Sequence, residues 1–356
     1  MISIDGSQGE GGGQVLRSAL TLSLATGLPV ALHNIRAGRP KPGLMRQHLA
    51  CVAAAQAIGN AQVTGAEARS TTLTFAPTTL RGGEHRFAVG SAGSAMLVLQ
   101  TVWPALLLAP EPAQLQLQGG THNPMAPCFH FIERAYAPLL RRLGAEATLR
   151  LVRHGFAPGG GGEVAVAITP PAALQPFDLL ERGPLVAAWA DCLATGVPPN
   201  VAARELKVLR DRLLWTRDQL RSPPVDPAQG PGNALFATLQ HREVTEVFTA
   251  IGEPGRSAER VGGDVAGQVG RYLASAAALG PHLGDQWVLP LALAVWRSGR
   301  AAAYTCSELT AHALTHFRVI ERFLPVRITQ EPADGGGGDG RGGGTAAIRI
   351  RVEPSR

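Results

Sequence analysis

Lysine is almost absent from this chain of 356 residues, which contains Lys41 and Lys207 and no other lysine. The phosphate-binding loop that ends in Gly-Lys-Ser or Gly-Lys-Thr is therefore excluded. Arginine supplies nearly all of the basic charge, and 33 basic against 27 acidic residues give a formal net charge of +6. Since arginine recognises phosphate through paired hydrogen bonds, a polyanion such as nucleic acid is the expected partner. The alternative explanation is a high-GC genome that replaces lysine by arginine.

Cysteine is also scarce, and no two cysteines form a C-x-x-C pair, which disfavours a structural zinc site or a redox motif. The four cysteines are Cys51, Cys128, Cys192 and Cys306. We expect isolated, mostly buried thiols in a reducing compartment. No signal peptide is recognisable, the apolar runs are too short to cross a bilayer, and no Gly-x-Ser-x-Gly motif indicates a serine hydrolase. These absences predict a soluble, cytoplasmic protein with no membrane partner.

What the chain does have is a glycine-rich segment near its start, Asp5-Gly-Ser-Gln-Gly-Glu-Gly-Gly-Gly-Gln14. It lies between an apolar strand pattern, Met1–Ile4, and a helix pattern, Val15–Leu24. Glycine allows the backbone to approach a ligand closely, and a helix N-terminus attracts anions. The carboxylate of Glu10 beside a phosphate site would suggest a metal ion. A surface turn with a solvated glutamate is the alternative, because a glycine loop alone is a weak signal.

Secondary-structure patterns repeat along the chain in the order βαβαββ. A first unit covers about the first eighty residues, and a second unit of the same order follows. A third unit is interrupted: a strand at Pro176–Leu180 precedes helices predicted at Asp285–Trp296 and Ser307–Phe323. We therefore predict an α/β (α+β) fold in which residues 1–180 and 280–356 form a large catalytic domain. Residues 181–279 form a smaller inserted α/β domain, with a helix predicted at Val201–Arg221.

Two further segments have an unusual composition, one rich in cations and one rich in glycine. Four cations, Arg36, Arg39, Lys41 and Arg46, lie within eleven residues that also contain two prolines and two glycines. A rigid loop of this kind suits a phosphate or nucleic-acid backbone, although a solvated basic turn is the alternative. The nearly all-glycine stretch Asp334–Gly344 predicts a flexible hairpin loop without an assigned function.

Histidines follow no clear metal-binding pattern. His312 and His316 are four residues apart on one predicted helix face, so a metal pair is conceivable. However, Ala313 occupies the position at which a zinc protease motif has its catalytic glutamate. From spacing alone, a surface or core histidine pair is the safer interpretation.

Several of these motifs together resemble RNA 3′-terminal phosphate cyclase, and the resemblance covers nearly the whole chain in order. The matching segments are Gly9-Glu-Gly-Gly-Gly-Gln-Val-Leu-Arg17, Ile35-Arg-Ala-Gly-Arg39, Lys41-Pro-Gly-Leu-Met-Arg-Gln-His48, Gly90-Ser-Ala-Gly-Ser94, Arg153-His-Gly-Phe156 and Glu321-Arg-Phe-Leu-Pro-Val326. The family is built from three βαβαββ units with a small α/β insert. Its activity is the ATP-dependent conversion of an RNA 3′-phosphate to a 2′,3′-cyclic phosphate, through a covalent histidine–AMP adduct and an RNA(3′)pp(5′)A intermediate.

The resemblance also implies roles for individual residues. His312, at a fixed distance before the Glu-Arg-Phe-Leu-Pro segment, would be the nucleophile, and His316 would not. The resemblance implies that Glu10 coordinates the divalent metal, Mg²⁺ or Mn²⁺. The other implied residues are Gln14 and Gln100 near the ATP phosphates; Arg17, Arg36 and Arg39 on phosphates of ATP or RNA; and Pro127, Asp285 and Gln286 around adenosine. His282 occupies the position at which the family would have a tyrosine that stacks on adenine. We therefore expect nucleotide affinity to be the property in which this chain differs from the family.

Two other functions share this fold. A non-catalytic RNA-binding relative that acts in ribosome assembly would lack the nucleophile and the ATP pocket, whereas His312, Glu10 and Gln14 are present. An enolpyruvyl transferase would need lysines at its phosphate and carboxylate sites, which a chain with two lysines does not supply. The cyclase is therefore the favoured function, with RNA 3′-phosphate ends as the partner.

Overall fold

A computed structural model describes residues 1–9, 11–90, 92–333 and 347–355 of the chain. The first unit is a four-stranded sheet covered by two helices. Its elements are β1 (Ile2–Asp5), α1 (Gly13–Thr26), β2 (Val30–His33), α2 (Arg46–Gly59), β3 (Gln62–Thr64) and β4 (Leu73–Ala76). The strand order is β1-β2-β4-β3, in which β1 and β2 are parallel and the other pairs are antiparallel.

The second unit has the same strand order. Its elements are β5 (Gly83–Ala88), α3 (Ala95–Leu106), β6 (Ala113–Gly119), α4 (Phe129–Phe131), a π-helical turn (Ile132–Tyr136), α5 (Ala137–Arg142), β7 (Glu146–Arg153) and β8 (Gly162–Thr169). The order is β5-β6-β8-β7, again with one parallel pair followed by two antiparallel pairs. Parallel neighbours bring their carboxyl ends to one edge, where the glycine turns before α1 and α3 begin.

The segment predicted as an insert contains a separate sheet. Its elements are β9 (Leu185–Thr195), α6 (Val201–Leu213), β10 (Leu220–Arg221), β11 (Gly232–His241), β12 (Thr245–Ile251) and α7 (Ala258–Ala274), in the strand order β10-β9-β11-β12. One face packs on α6 and α7 around its own apolar cluster, which includes Leu209, Leu235 and Val265. The predicted helix Val201–Arg221 is wrong at its end, because Leu214 adopts φ 56° and the chain returns to pair β10 with β9. The domain boundaries at residues 180 and 280 stay a prediction.

The last part of the chain forms a third sheet with α8 (Pro281–Ser298), β13 (Ala302–Cys306), α9 (Ala311–Phe323), β14 (Val326–Pro332) and β15 (Ile348–Pro354). Its order, β13-β15-β14, matches the last three positions of the other two units. The predicted strand Pro176–Leu180 is reduced to one parallel bridge from Leu179 to Tyr304, at the position of the missing first strand. The predicted hairpin loop Asp334–Gly344 lies outside the described residues.

Side chains of the second unit hold the insert sheet in place. The ring of Phe156 packs directly on Gly232, where an added Cβ would lie 2.0 Å from the ring. The guanidinium of Arg134, in the π-helical turn, donates to Asp191 Oδ2 at 2.7 Å. These contacts make the insert part of the architecture around the second sheet.

Helix α1 is central to the large apolar core. Nearly every position from Val15 to Leu24 is buried, because α1 packs against α2, α3 and α9. Gly27 ends the helix at φ 72°, a conformation that glycine adopts without steric cost. Within the described residues, no helix is long and apolar enough to span a membrane.

Candidate active site at the start of helices α1 and α9

The glycine turn leads from β1 into the N-terminus of α1. Gly9 and Gly11 have positive φ values of 61° and 57°, which favour glycine. The N-cap residue, Gly12, has no side chain that could cap the helix, and a helix N-terminus of this kind can present its first backbone N–H groups to an anion. A Cβ on Gly9 would lie 1.9 Å from Thr315 Oγ1, so this turn fits closely against α9. Glu10, the predicted metal ligand, lies outside the described residues.

His312 is in the first turn of α9, where its side chain is half-buried. Thr310 caps this helix by accepting a hydrogen bond from Ala313 N at 3.1 Å. A Cβ on Gly12 would lie 3.8 Å from His312 Cε1 and 3.1 Å from Arg39 Nη2. The imidazole, one arginine and the open start of α1 therefore meet at one point.

His316, one turn later, has a different environment. It is buried, and its Nδ1 lies 3.2 Å from Gln14 Nε2 and 3.1 Å from the Asp285 carbonyl oxygen. Burial lowers the pKa of His316 to about 4, and the charges of Arg17 and His312 act in the same direction. The ring is neutral at pH 7. These contacts hold His316 between Gln14 and Asp285. Its assignment as the histidine that is not the nucleophile stays a prediction.

The three predicted phosphate arginines differ in their contacts. Arg17 is half-buried in α1, burial lowers its pKa, and no carboxylate in the described residues forms an ion pair with it. Arg36 donates through Nη1 to the carbonyl oxygens of Lys41 at 2.7 Å and Gly43 at 3.0 Å. Arg36 thus braces the loop that presents Arg39, whereas Arg17 retains its hydrogen-bonding groups for an anion.

His48 lies at the same site, although no role is predicted for it from the sequence. It is buried beneath the start of α1, and a Cβ on Gly13 would lie 2.5 Å from its Nε2. Its Nδ1 accepts a hydrogen bond from Met45 N at 3.0 Å, so Nε2 carries the ring proton when the ring is neutral. Burial, followed by the charges of Arg36 and Arg17, lowers its pKa to about 4. His48 can therefore donate a hydrogen bond beside Arg17 without adding charge.

The residues expected around the nucleotide lie mainly on α8. Asp285 is buried and accepts a hydrogen bond from Thr310 Oγ1 at 2.5 Å, which ties α8 to the cap of α9. Gln286 accepts a hydrogen bond from Gln100 of α3. His282 is exposed, yet the surrounding protein atoms, and then the charge of His312, lower its pKa.

Pro127 is the predicted site residue that these contacts do not reach. It is half-buried just before α4, and no hydrogen bond in the described residues links it to α8 or α9. Its place beside adenosine stays a prediction.

A cleft runs between α1 and α9 at this point. Its lining residues are Gly11, Gly12, Gln14, Val15, Ser18, His312, Thr315, His316 and Val319. The cleft brings together the half-buried imidazole of His312, the start of α1 and nearby guanidinium groups. This combination suits attack on a phosphorus atom whose oxygens are held by positive groups. In the described part of the chain, no three His, Cys, Asp or Glu side chains gather as a metal site.

Comparison with known proteins identifies relatives over nearly the full length. The family described as RNA 3′-terminal phosphate cyclase matches residues 8–330. The RNA 3′-terminal phosphate cyclase of Salmonella typhimurium is 48% identical over 336 residues, which cover 94% of this chain and 97% of that protein. The protein of the same name from Ralstonia nicotianae is 50% identical over 329 residues, 92% of this chain and 93% of its own.

Proposed function

The chain belongs to the RNA 3′-terminal phosphate cyclase family of enzymes, and we propose that it uses ATP to convert an RNA 3′-terminal phosphate into a 2′,3′-cyclic phosphate. The observation that carries this proposal is the position of His312. It is half-buried in the first turn of α9, beside Arg39 and the uncapped start of α1. This arrangement supports a nucleophile placed beside a site for the phosphates of ATP.

In the first step, a ring nitrogen of His312 attacks the α-phosphorus of ATP. A nitrogen–phosphorus bond forms while the bond to the bridging oxygen breaks, and pyrophosphate leaves. Arg39, Arg17 and the N–H groups at the start of α1 hold the phosphate oxygens as negative charge moves toward the leaving group. Gln14, held against His316, adds a polar side chain to the same cleft.

In the second step, an oxygen of the RNA 3′-phosphate attacks the same phosphorus and releases the His312 nitrogen. This gives the RNA(3′)pp(5′)A intermediate and turns a poor leaving group into a good one. In the third step, the adjacent ribose 2′-OH attacks the 3′-phosphorus, loses its proton and expels AMP. Because the hydroxyl is already next to the phosphorus, the last step has a high effective molarity.

The nucleotide pocket is also part of the proposal. We place the ATP phosphates near Gln14 and Gln100, and adenosine near Pro127, His282 and α8, with Asp285 and Gln286 as its polar contacts. The link from Asp285 to Thr310 supports this, because a nucleotide held by α8 would lie beside the cap of the helix that carries the nucleophile. A divalent metal bound through Glu10 would neutralise triphosphate charge, and no step above depends on it.

The predicted domain division and location accompany this function as proposals. We assign residues 1–180 and 280–356 to the catalytic domain and residues 181–279 to an inserted domain, a division supported by the separate apolar cluster of the insert sheet. We also place the enzyme in the cytoplasm, because all four cysteines are free and buried.

An RNA end assay tests the function. We expect an RNA with a labelled 3′-phosphate to become resistant to phosphatase when ATP is added, with one AMP released for each end converted. A matched RNA with a terminal 2′-deoxyribose should stop at RNA(3′)pp(5′)A, because it lacks the attacking hydroxyl. An RNA that binds the protein but is never modified with ATP and a divalent metal would instead support the non-catalytic relative.

A further inference from the structure

Three cationic side chains form a rim beside the candidate active site: Lys41, Arg46 and Arg69. We propose that this basic rim binds the phosphodiester backbone of the RNA upstream of its reacting 3′ end. The proposal rests on the proposed function and extends it, because it concerns the nucleotides that do not react.

Backbone hydrogen bonds join the two loops that carry the rim. Arg69 N donates to the Leu44 carbonyl at 2.7 Å, and Leu44 N donates to the Ser70 carbonyl at 2.9 Å. Within the first of these loops, Arg36 donates hydrogen bonds to the Lys41 and Gly43 carbonyls. Because Arg39 of this loop reaches Gly12 beside His312, the rim is continuous with the site.

The rim is available to a ligand. Lys41, Arg46 and Arg69 are exposed, and within the described residues none of their side chains forms an ion pair or hydrogen bond. Residues 36–46 and 65–70 contain five cationic residues and one acidic residue, Glu67. Cations therefore outnumber carboxylates in these two segments, and the three rim side chains face solvent.

Two of these cations occupy positions that are locally unfavourable. Arg69 adopts φ 68°, a conformation that glycine adopts easily and arginine rarely does. Arg46 is the first residue of α2, where the helix dipole disfavours positive charge. A turn closed by Ser70 N and the Glu67 carbonyl at 3.1 Å sets the conformation of residue 69, but the turn does not call for an arginine there. Binding of an anion would offset the cost of both cations.

The position of the rim favours a polymer over a single nucleotide. The groups near His312 already supply positive charge for one triphosphate or one terminal phosphate. Lys41 and Arg69 lie on the two joined loops and Arg46 begins α2, so these cations suit phosphates that follow one another along a strand. An RNA whose end lies at His312 is the ligand with phosphates in that arrangement.

The test compares substrate length in the full-length protein. The substrates are a 3′-phosphorylated uridine dinucleotide and a 3′-phosphorylated uridine dodecamer, assayed for cyclisation at several salt concentrations. The variants are Arg46→Gln, Arg69→Gly and the double variant, with Arg150→Gln as control. Arg150 is an exposed arginine on β7 that likewise forms no ion pair within the described residues.

We expect each substitution to raise KM for the dodecamer roughly three- to fivefold. Each should also reduce the slope of log KM against log salt by about 0.7, as for one lost contact to a single strand. The KM for the dinucleotide and the rate of protein labelling by ATP should not change. Arg69→Gly should fold at least as well as the wild type, because glycine relieves the positive φ.

Two results would overturn the proposal. In the first, the double variant keeps the lower KM that the wild type has for the dodecamer than for the dinucleotide. In the second, Arg150→Gln raises the KM for the dodecamer as much as the rim variants do, which would show an effect of net charge alone. Failure of the proposed function is a separate result, because the wild type would then cyclise neither RNA.

Discussion

Two groups of histidines in this molecule invite comparison. At the α1–α9 junction, His312, His316 and His48 lie among arginines and the glycine turn. At the junction between the second sheet and the insert, His122 and His130 share a hydrogen bond of 3.0 Å, and His130 stacks on Phe236 with ring centroids 4.3 Å apart. Both groups contain buried neutral rings, yet only the first includes a half-buried ring beside an open helix N-terminus.

The difference shows that proximity of histidines does not by itself mark a catalytic site. Burial lowers the pKa of His122 to about 3, and Thr121 and His130 occupy its two ring nitrogens. Such a ring is a packing element with satisfied polar atoms. At the α1–α9 junction, His312 instead lies beside Arg39 and the start of α1, which are groups that can hold phosphate oxygens.

The largest expected effect sharpens this contrast. Replacement His312→Ala should abolish covalent labelling by α-labelled ATP, a loss on the order of a thousandfold or more, because the nucleophile is gone. His316→Ala should keep measurable labelling. His154 stacks on His122 at the insert junction, and His154→Asn should label like the wild type. Undiminished labelling of His312→Ala would show that the adenylated residue is another histidine or a residue of another type.

A smaller loss of labelling should follow from a substitution that shifts the glycine turn. Gly9→Ala places a Cβ 1.9 Å from Thr315 Oγ1 at a φ of 61°, so the turn must shift against α9. We expect a loss of labelling of about a hundredfold with little change in melting temperature, because the turn orients phosphates. The matched control is Gly38→Ala, where no atom lies within 4 Å of the new Cβ. Equal activity of the two variants would contradict the role of the turn.

The smallest effect concerns stability at the insert junction. Because the folded-state pKa of His122 is lowered from 6.5 to about 3, the unfolded chain binds more protons between these values, and stability falls as pH decreases through that range. At pH 5 this residue alone should lower the free energy of unfolding by about 2 kcal/mol relative to pH 7.5. His122→Gln should reduce that loss in urea unfolding while labelling by ATP at pH 7 persists. An unchanged pH dependence would show that His122 is not the group responsible.

Local patterns predicted much of the fold. The helix pattern at Val15–Leu24 lies within the observed helix Gly13–Thr26, because its buried face and the glycine at its C-terminal end are encoded in the local sequence. The start of α9 was predicted four residues too early. Ser307 and Thr310 both suit an N-cap, and the choice of Thr310 depends on its hydrogen bond to distant Asp285.

Contacts between remote segments explain what the sequence did not reveal about the site. His48 matters because it packs under Gly13, 35 positions earlier in the chain, and no local pattern encodes that contact. The pairing of Gln14 with His316 and of Gln100 with Gln286 likewise appears only when α1, α3, α8 and α9 assemble. The resemblance to a family selected many of these residues, but their contacts came from the structure.

The central claim is that His312 carries the covalent adenylate, and peptide mapping tests it most directly. The wild-type protein would be incubated with α-labelled ATP and a divalent metal, digested under non-acidic conditions, and the labelled peptide sequenced by mass spectrometry. We predict AMP on the peptide that contains His312, with the modification on that ring. AMP on Lys41, on His316 or on any histidine of the insert junction would contradict the account.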